Sequence, residues 1–363
     1  MSLTEIGWNL FFCEQFEPYQ AQGYVPARVV CGQKHIYDVL SDIGELTAQV
    51  SGKFRHQASF DSDFPVVGDW VVIQPHLREA KATIHAILPR KTKVSRKVSG
   101  GASRLSGGIT EEQVIASNID TIFIVIGLDR DFNLRRIERY LTFVYNSGAN
   151  PVIVLNKEDL CVDLETSLAE VESIAYGVPV HALSAKENQG LEPLLRYLEV
   201  GKTAALVGSS GVGKSTIINS LLGSERLRVD FISASTNKGL HTTTHRELIV
   251  LPTGGIIMDN PGMRELQLWG DEENLKGTFT DIEDLATQCR FHDCRHESEP
   301  GCAVREALEQ GILDHKRFRS YLKLKKELLY LEKRRHQSAQ VIEKEHWKQI
   351  AKSQRVFSKY KHG

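Results

Sequence analysis

No apolar run in the sequence is longer than about 8 residues, the longest being TIFIVIGL. A helix that crosses a bilayer needs roughly 20, so a helical membrane span is excluded. The first residues, MSLTEIGWNLFF, lack a basic stretch ahead of the apolar ones and carry Glu5 instead. A secretory signal is therefore not expected, and the expectation is a soluble, cytoplasmic chain with no membrane partner. Cysteine is scarce, with 6 in 363 residues, and in that compartment the thiols should be free or metal-bound rather than paired. No internal repeat is visible. Net charge is almost absent at −1, but the balance conceals an asymmetry. From His315 onward there are 15 Lys and Arg against 4 Asp and Glu, whereas the rest of the chain carries 30 against 42. A basic arm on an acidic body suits a polyanionic partner, although a solvated helix with a frayed tail has the same composition.

Length allows two or three domains. Residues 1–20 form a lead-in with helical character. The short runs YVPARVV, HIYDVL, ELTAQV, DWVVIQP and ATIHAIL follow, separated by turn residues. They predict a small all-β barrel or sandwich. Residues 91–112 are basic, then rich in Gly and Ser, which marks a linker or mobile loop. Beyond it, DTIFIVIGL, PVIVLN, PVHALSA and KTAALVGSS are strand-like and alternate with helical segments, as in a parallel sheet wrapped by helices. RELIVLPTGGIIMD reads as two strands around a Gly-Gly turn. From residue 315 an amphipathic helix is predicted, with apolar positions at 318, 321, 322, 324, 328, 329 and 331. The expected division is a barrel with its lead-in at 1–95, a linker at 96–112, a domain of parallel sheet and helices at 113–272 and a cysteine-bearing domain with a basic helical tail at 273–363.

The segment Gly208-Ser209-Ser210-Gly211-Val212-Gly213-Lys214-Ser215-Thr216 matches the phosphate-binding loop pattern. It follows an apolar strand and opens an apolar-periodic helix, as that loop requires. Its glycines let N–H groups converge on phosphate oxygens at the positive end of a helix. Lys214 would reach the β- and γ-phosphates, and the Ser215 hydroxyl would ligate magnesium. Downstream, Asp259-Asn260-Pro261-Gly262 closes the strand GGIIM. Asp259 can hold magnesium and the Gly262 N–H can bond a γ-phosphate. Asn156-Lys157-Glu158-Asp159 follows the strand VIVL. Asp159 can accept both guanine N1–H and the 2-amino group, which adenine cannot offer. Asn156 suits guanine N7 and the neighbouring loops, and the Lys157 stem suits the base plane. Ser184-Ala185-Lys186 can bring an N–H to guanine O6. GTP and GDP are thus the expected ligands.

These motifs run in an unusual order, base recognition first and phosphate loop second. Circular permutation accounts for it, because joining close termini and opening a surface loop elsewhere preserves the contacts. Cys289-x₄-Cys294-x-His296-x₅-Cys302 supplies a Cys₃His set suited to one structural zinc ion, with His292 a competing ligand. The polar stretch SERLRVDFISASTNKGLHTTTHRE suits a mobile switch. One of Thr242, Thr243 and Thr244 should ligate magnesium, and Thr243 is the choice. Met263 occupies the position after DNPG where many GTPases carry a water-orienting Gln. His241 is the candidate to orient water in its place, and Arg264 a second.

The motif order, GSSGVGKST, HTTTHRE, DNPGMRE and the cysteine cluster together resemble the ribosome small subunit-dependent GTPase A family (RsgA). The likeness runs over nearly the whole chain. It implies an N-terminal OB-fold, a circularly permuted GTPase domain and a zinc domain, with His296 rather than His292 as the fourth ligand. It also implies His241 as the catalytic histidine. By the same resemblance the partners are the small ribosomal subunit and its rRNA, in late maturation, and a monomer is expected. A nucleotide-sensing RNA binder and a P-loop ATPase are the competing readings.

Overall fold

The computed structural model describes residues 1–33, 35–98, 110–223, 247–259, 269–270, 275–337, 341 and 344. The chain forms two compact units. One comprises Met1–Ser95, Val114–Leu266 and Gly277–Phe279, and the other Arg96–Gln113, Gln267–Lys276 and Thr280–Gly363.

The first unit begins with a short helix, Leu10–Gln20, and five strands: β1 (Val25–Gln33), β2 (Ile36–Ser41), β3 (Gly44–Val50), β4 (Trp70–His76) and β5 (Lys81–Ile87). Alternation decides their faces. Along β2, Tyr37, Val39 and Ser41 are buried while their neighbours are not, because successive side chains leave opposite faces of a strand. The order is β1-β2-β3-β5-β4, and β4 pairs back onto β1. The result is a closed five-stranded barrel of the OB type, filled by Val29, Val39, Val71, Ile73 and Ile84. The barrel, not the sandwich, is thus realised. A β-bulge interrupts β1 between Val29 and Cys31. Up to that point β1 pairs with β4. Beyond it, Cys31 lies opposite Glu247 of the second sheet region.

Lys93–Val98 (β6) and Glu111–Ser117 (β7) pair as a two-stranded ribbon. Composition marked Lys93–Val98 as linker, yet Val94 is fully buried. The Arg96 Nε donates across the ribbon to Gln113 Oε1 at 2.8 Å. The basic composition of this segment had concealed a strand.

The second region holds β8 (Thr121–Gly127), β9 (Asn150–Asn156), β10 (Val180–Leu183), β11 (Thr203–Val207), β12 (Glu247–Val250) and β13 (Ile256–Asp259). Its order is β10-β9-β8-β11-β13-β12. All neighbours are parallel except β12, which is antiparallel to β13. Every residue of β8 is buried, as a central strand covered on both faces demands. From β8 the chain steps outward to β9 and β10, and from β11 it steps the other way to β13. The direction of winding therefore reverses between β8 and β11. In open parallel sheets such a switch point leaves a crevice at the carboxyl ends of the strands, where ligands bind.

Helices wrap this sheet as the sequence leads one to expect. Leu134–Ser147 is capped by Asn133, whose side chain accepts from the Arg135 and Arg136 N–H groups, and it stops at Gly148 with φ 80°. The segment at 191–200 forms only one helical turn, Glu192–Leu195, since the chain must reverse to enter β11.

Arg28 of β1 is 1 % exposed. Its Nη1 donates to the Ile6 carbonyl at 2.5 Å, and its Nη2 to the Asn118 carbonyl at 3.1 Å and Thr203 Oγ1 at 3.0 Å. Burial lowers its pKa to about 10, opposed by Asp120 and Asp69, so it stays cationic at neutral pH. One guanidinium thus joins the N-terminal segment, the barrel, the start of β8 and the start of β11.

In the other unit the helices are Thr280–Thr287, Ala303–Glu309 and His315–His336. The last buries Phe318, Tyr321, Leu324, Leu328 and Leu331. Leu322 and Leu329, expected on the same stripe, are instead 41 % and 37 % exposed. They sit one step off the 3-4 spacing that the buried five follow. Arg317 grips Asp281 with Nε and Nη2 at 2.6 and 2.7 Å, and the Tyr321 hydroxyl donates to Glu283 Oε1 at 2.8 Å. Among the described residues no helix is long and apolar enough to cross a membrane.

Replacing Arg28 by Met should leave three buried acceptors without their donor and remove a cation near Asp69 and Asp120. The expected loss of stability is about 2–4 kcal/mol, read as a lowered urea midpoint. An unchanged midpoint would remove Arg28 from its joining role.

Candidate functional site

The phosphate-loop segment follows β11 without a break. Gly208 has φ 151°, and a Cβ there would collide with the Val125 carbonyl of β8. Gly213 has φ 96°, and a Cβ there would strike the Asn156 amide. Gly208 and Val212 are buried, Ser209, Gly213 and Lys214 half-buried, and Ser210, Gly211, Ser215 and Thr216 exposed. The Lys214 ammonium donates to the Gly208 and Ser209 carbonyls at 2.7 and 2.6 Å. Lys214 opens the helix Lys214–Leu222, so the loop meets the positive end of a helix dipole.

Asn156, the last residue of β9, is 2 % exposed. Its Nδ2 donates to the Val212 carbonyl at 2.7 Å, and its Oδ1 accepts from the Ala185 N–H at 3.0 Å. The base-recognition segment, the segment after β10 and the phosphate loop are thereby tied by one amide. Lys157 turns the chain with φ 67°, and its ammonium donates to Asp129 Oδ2 at 2.6 Å. That bond, joined by one from the Asp131 N–H, holds the Asp129 carboxyl below its ordinary pKa. Asp159 stands exposed, its Oδ1 accepting from Ser184 Oγ at 2.6 Å. Lys186 is exposed beside Glu187 at 3.3 Å. Asp259 ends β13, half-buried. Asn156, Ser184, Gly208 and Asp259 therefore leave the same edge of one parallel set. His241, Thr242, Thr243, Thr244, Gly262, Met263 and Arg264 lie outside the described residues.

The sequence reading missed Asp129, Asp131, Arg136 and Tyr140. Arg136 Nη1 donates to Ser209 Oγ at 2.8 Å and pairs with Asp131, and Tyr140 is buried one helical turn beyond Arg136. No motif announces these residues, since GLDRDFN reads only as a strand end and a helix cap.

In the other unit, Cys289, Cys294, His296 and Cys302 gather with all ligand atoms within 4.8 Å of one another. The Cys289 and Cys302 sulfurs are 3.9 Å apart, and His296 Nδ1 is 3.7 and 3.4 Å from them. A tetrahedral zinc ion with its usual bond lengths needs edges of roughly 3.8 Å between sulfurs and ~3.6 Å between sulfur and nitrogen. The donor set and spacing fit that ion. His296 reaches inward from a left-handed backbone, φ 64°, whereas His292 is exposed and outside the group. Burial alone would raise the Cys289 thiol, but the N–H groups of Val304 and Ala303 at the start of a helix, together with the Cys302 and Cys294 thiols, lower its pKa.

Against known proteins, the RsgA GTPase family model matches residues 87–269. The small ribosomal subunit biogenesis GTPase RsgA of Opitutus terrae is 46 % identical, over 98 % of this chain and 98 % of its own length. The chain belongs to the RsgA GTPase family. Among solved structures, YjeQ from Thermotoga maritima superposes with TM-score 0.61 and 29 % identity, covering 84 % of this chain and 99 % of its own. YloQ, described as a circularly permuted GTPase, has the same fold, with TM-score 0.59, 24 % identity and coverage of 84 % and 95 %. An RsgA-family chain with this architecture is a GTP hydrolase, and its reversed motif order is that of a circularly permuted GTPase.

Asn156→Ala should leave the Val212 carbonyl and Ala185 N–H without their shared partner. GDP affinity should fall by about 10²-fold, measured by calorimetric titration, and a loss under threefold would contradict the tie. Elemental analysis should find about one zinc per chain, and Cys302→Ser should cut that content by more than half while GDP binding persists.

Proposed function

We propose that this GTPase acts on the small ribosomal subunit during its late maturation and hydrolyses GTP faster when bound to it. The observation that carries the reading is the single Asn156 amide joining the guanine segment to the phosphate loop, in a chain whose relatives carry that function in their names. The subunit and its rRNA are the partners, the net positive arm from His315 supplies electrostatic attraction to RNA, and the working place is the cytoplasm.

Each side chain has a stated part. Asp159 accepts the guanine N1–H and 2-amino protons, the Ser184-Ala185-Lys186 segment offers guanine O6 a backbone N–H other than that of Ala185, which Asn156 holds, and the Lys157 stem lies along the ring. Lys214, now on the Gly208 and Ser209 carbonyls, exchanges them for β- and γ-phosphate oxygens. Ser215, Thr243 and Asp259 would hold magnesium, and the exposed Ser215 hydroxyl and strand-end Asp259 suit that hard cation. When bound, the ion neutralises charge on the phosphates. Gly262 senses the γ-phosphate. His241 orients the attacking water, because Met263 cannot. A site with no Gln at that position turns over slowly alone, which is why a partner should stimulate it. Zinc at Cys289, Cys294, His296 and Cys302 supplies folding energy to the C-terminal unit, since all four positions are protein ligands.

GTP turnover should rise by about tenfold or more on adding small ribosomal subunits, with ATP inert. His241→Ala should lower the stimulated rate by about 10²-fold with GTP affinity kept. Tight GTP binding with no stimulation would instead favour a nucleotide-sensing RNA binder.

A further inference from the structure

In the guanine-nucleotide reading Lys157 serves the base and Ser209, in the phosphate loop, the phosphates. A continuous set of polar contacts joins them without passing through Asn156. The Lys157 ammonium donates to Asp129 Oδ2 at 2.6 Å. The other oxygen of that carboxylate accepts the Asp131 N–H at 2.9 Å. Asp131 Oδ1 pairs with Arg136 Nη1, which also donates to the Asp131 carbonyl at 3.3 Å and to Ser209 Oγ at 2.8 Å.

This set is held from below. Asn133 caps the helix by accepting from the Arg135 and Arg136 N–H groups at 2.9 and 3.2 Å, which fixes where Arg136 begins. Gly127 leaves room for the Asp129 carboxylate, whose Oδ1 would lie 2.7 Å from a Cβ there. The four charged side chains are between 22 and 35 % exposed, so they are partly dry yet open to ligand on one side. Arg136 is suited to the junction because one planar guanidinium serves several acceptors at once, which an ammonium does less well.

We propose that Asp129, Asp131 and Arg136 form a charged brace that fixes Lys157 and Ser209 at the spacing a guanine nucleotide requires. They are positioning residues and touch no reacting atom. The idea rests on the guanine-nucleotide reading of the crevice. It predicts a uniform effect on binding, because the brace serves substrate and transition state alike.

The test is titration of the full-length, zinc-loaded protein with a fluorescent GDP analogue and magnesium. Wild type is compared with Asp129→Ala, Arg136→Ala and the double variant. Each single change should weaken binding about five- to tenfold and raise KM for GTP alike, with kcat falling less than about twofold. The double variant should lose little more than the worse single one, since both break one connected unit. Asp129→Glu, which keeps the carboxylate, should recover most of the affinity. Additive losses, or full affinity in both single variants, would overturn the brace. Should the alanine variants melt below the assay temperature, Asp129→Asn and Arg136→Gln give the same comparison. A wild-type protein that fails to bind GDP would defeat the nucleotide reading itself, whereas normal wild-type binding with unaffected variants defeats the brace alone.

Discussion

One side-chain amide holds the nucleotide site together. Asn156 is buried, donates to the phosphate loop at Val212 and accepts from Ala185 beyond β10. A buried amide left half-paired is costly, and one paired on both sides is rigid. It can come this close only because Gly213 has no Cβ. Three segments distant in sequence thereby share one anchor. The anchor is spatial, so it is indifferent to which segment the ribosome makes first. That is how a permuted chain keeps a working arrangement: parallel strands deliver their loops to one edge in any order of connection.

The strand bearing the phosphate loop is gripped at its other end as well. Thr203 opens β11, its N–H held by Asp120 Oδ2 at 2.9 Å and its hydroxyl by Arg28. Arg28 belongs to the barrel, and the same barrel strand continues past its bulge to pair with β12. An edge strand with open N–H and C=O groups invites unwanted pairing, and here β1 of the barrel pairs with it at Glu247.

Much of this was legible because the signals are local. The continuous apolar run of β8 announced a strand buried on both faces, the phosphate loop stood between a strand and a helix, and Cys289, Cys294, His296 and Cys302 had ligand spacing. Other features depend on contacts across the chain. Alternation in β2 is the same for a barrel and a sandwich, and only the return of β4 to β1 distinguishes them. Lys93–Val98 is basic in composition and reads as linker until its partner strand is seen. Leu322 and Leu329 are apolar yet lie off the buried stripe. Asp129 and Arg136 resemble ordinary surface charges, since nothing in GLDRDFN points to Lys157 or Ser209. His241, Thr243 and Gly262 rest on the sequence reading alone.

The most direct measurement is the nucleotide preference of Asp159→Asn. In the proposed reading Asp159 would present acceptors to the guanine 2-amino group, and Asn would present a donor that suits the carbonyl of xanthine at the same position. If the reversed segments do assemble one guanine site, the variant should come to prefer XTP over GTP by about tenfold or more in competitive binding, the wild type preferring GTP. A variant that keeps the wild-type preference would show that Asp159 does not read the base.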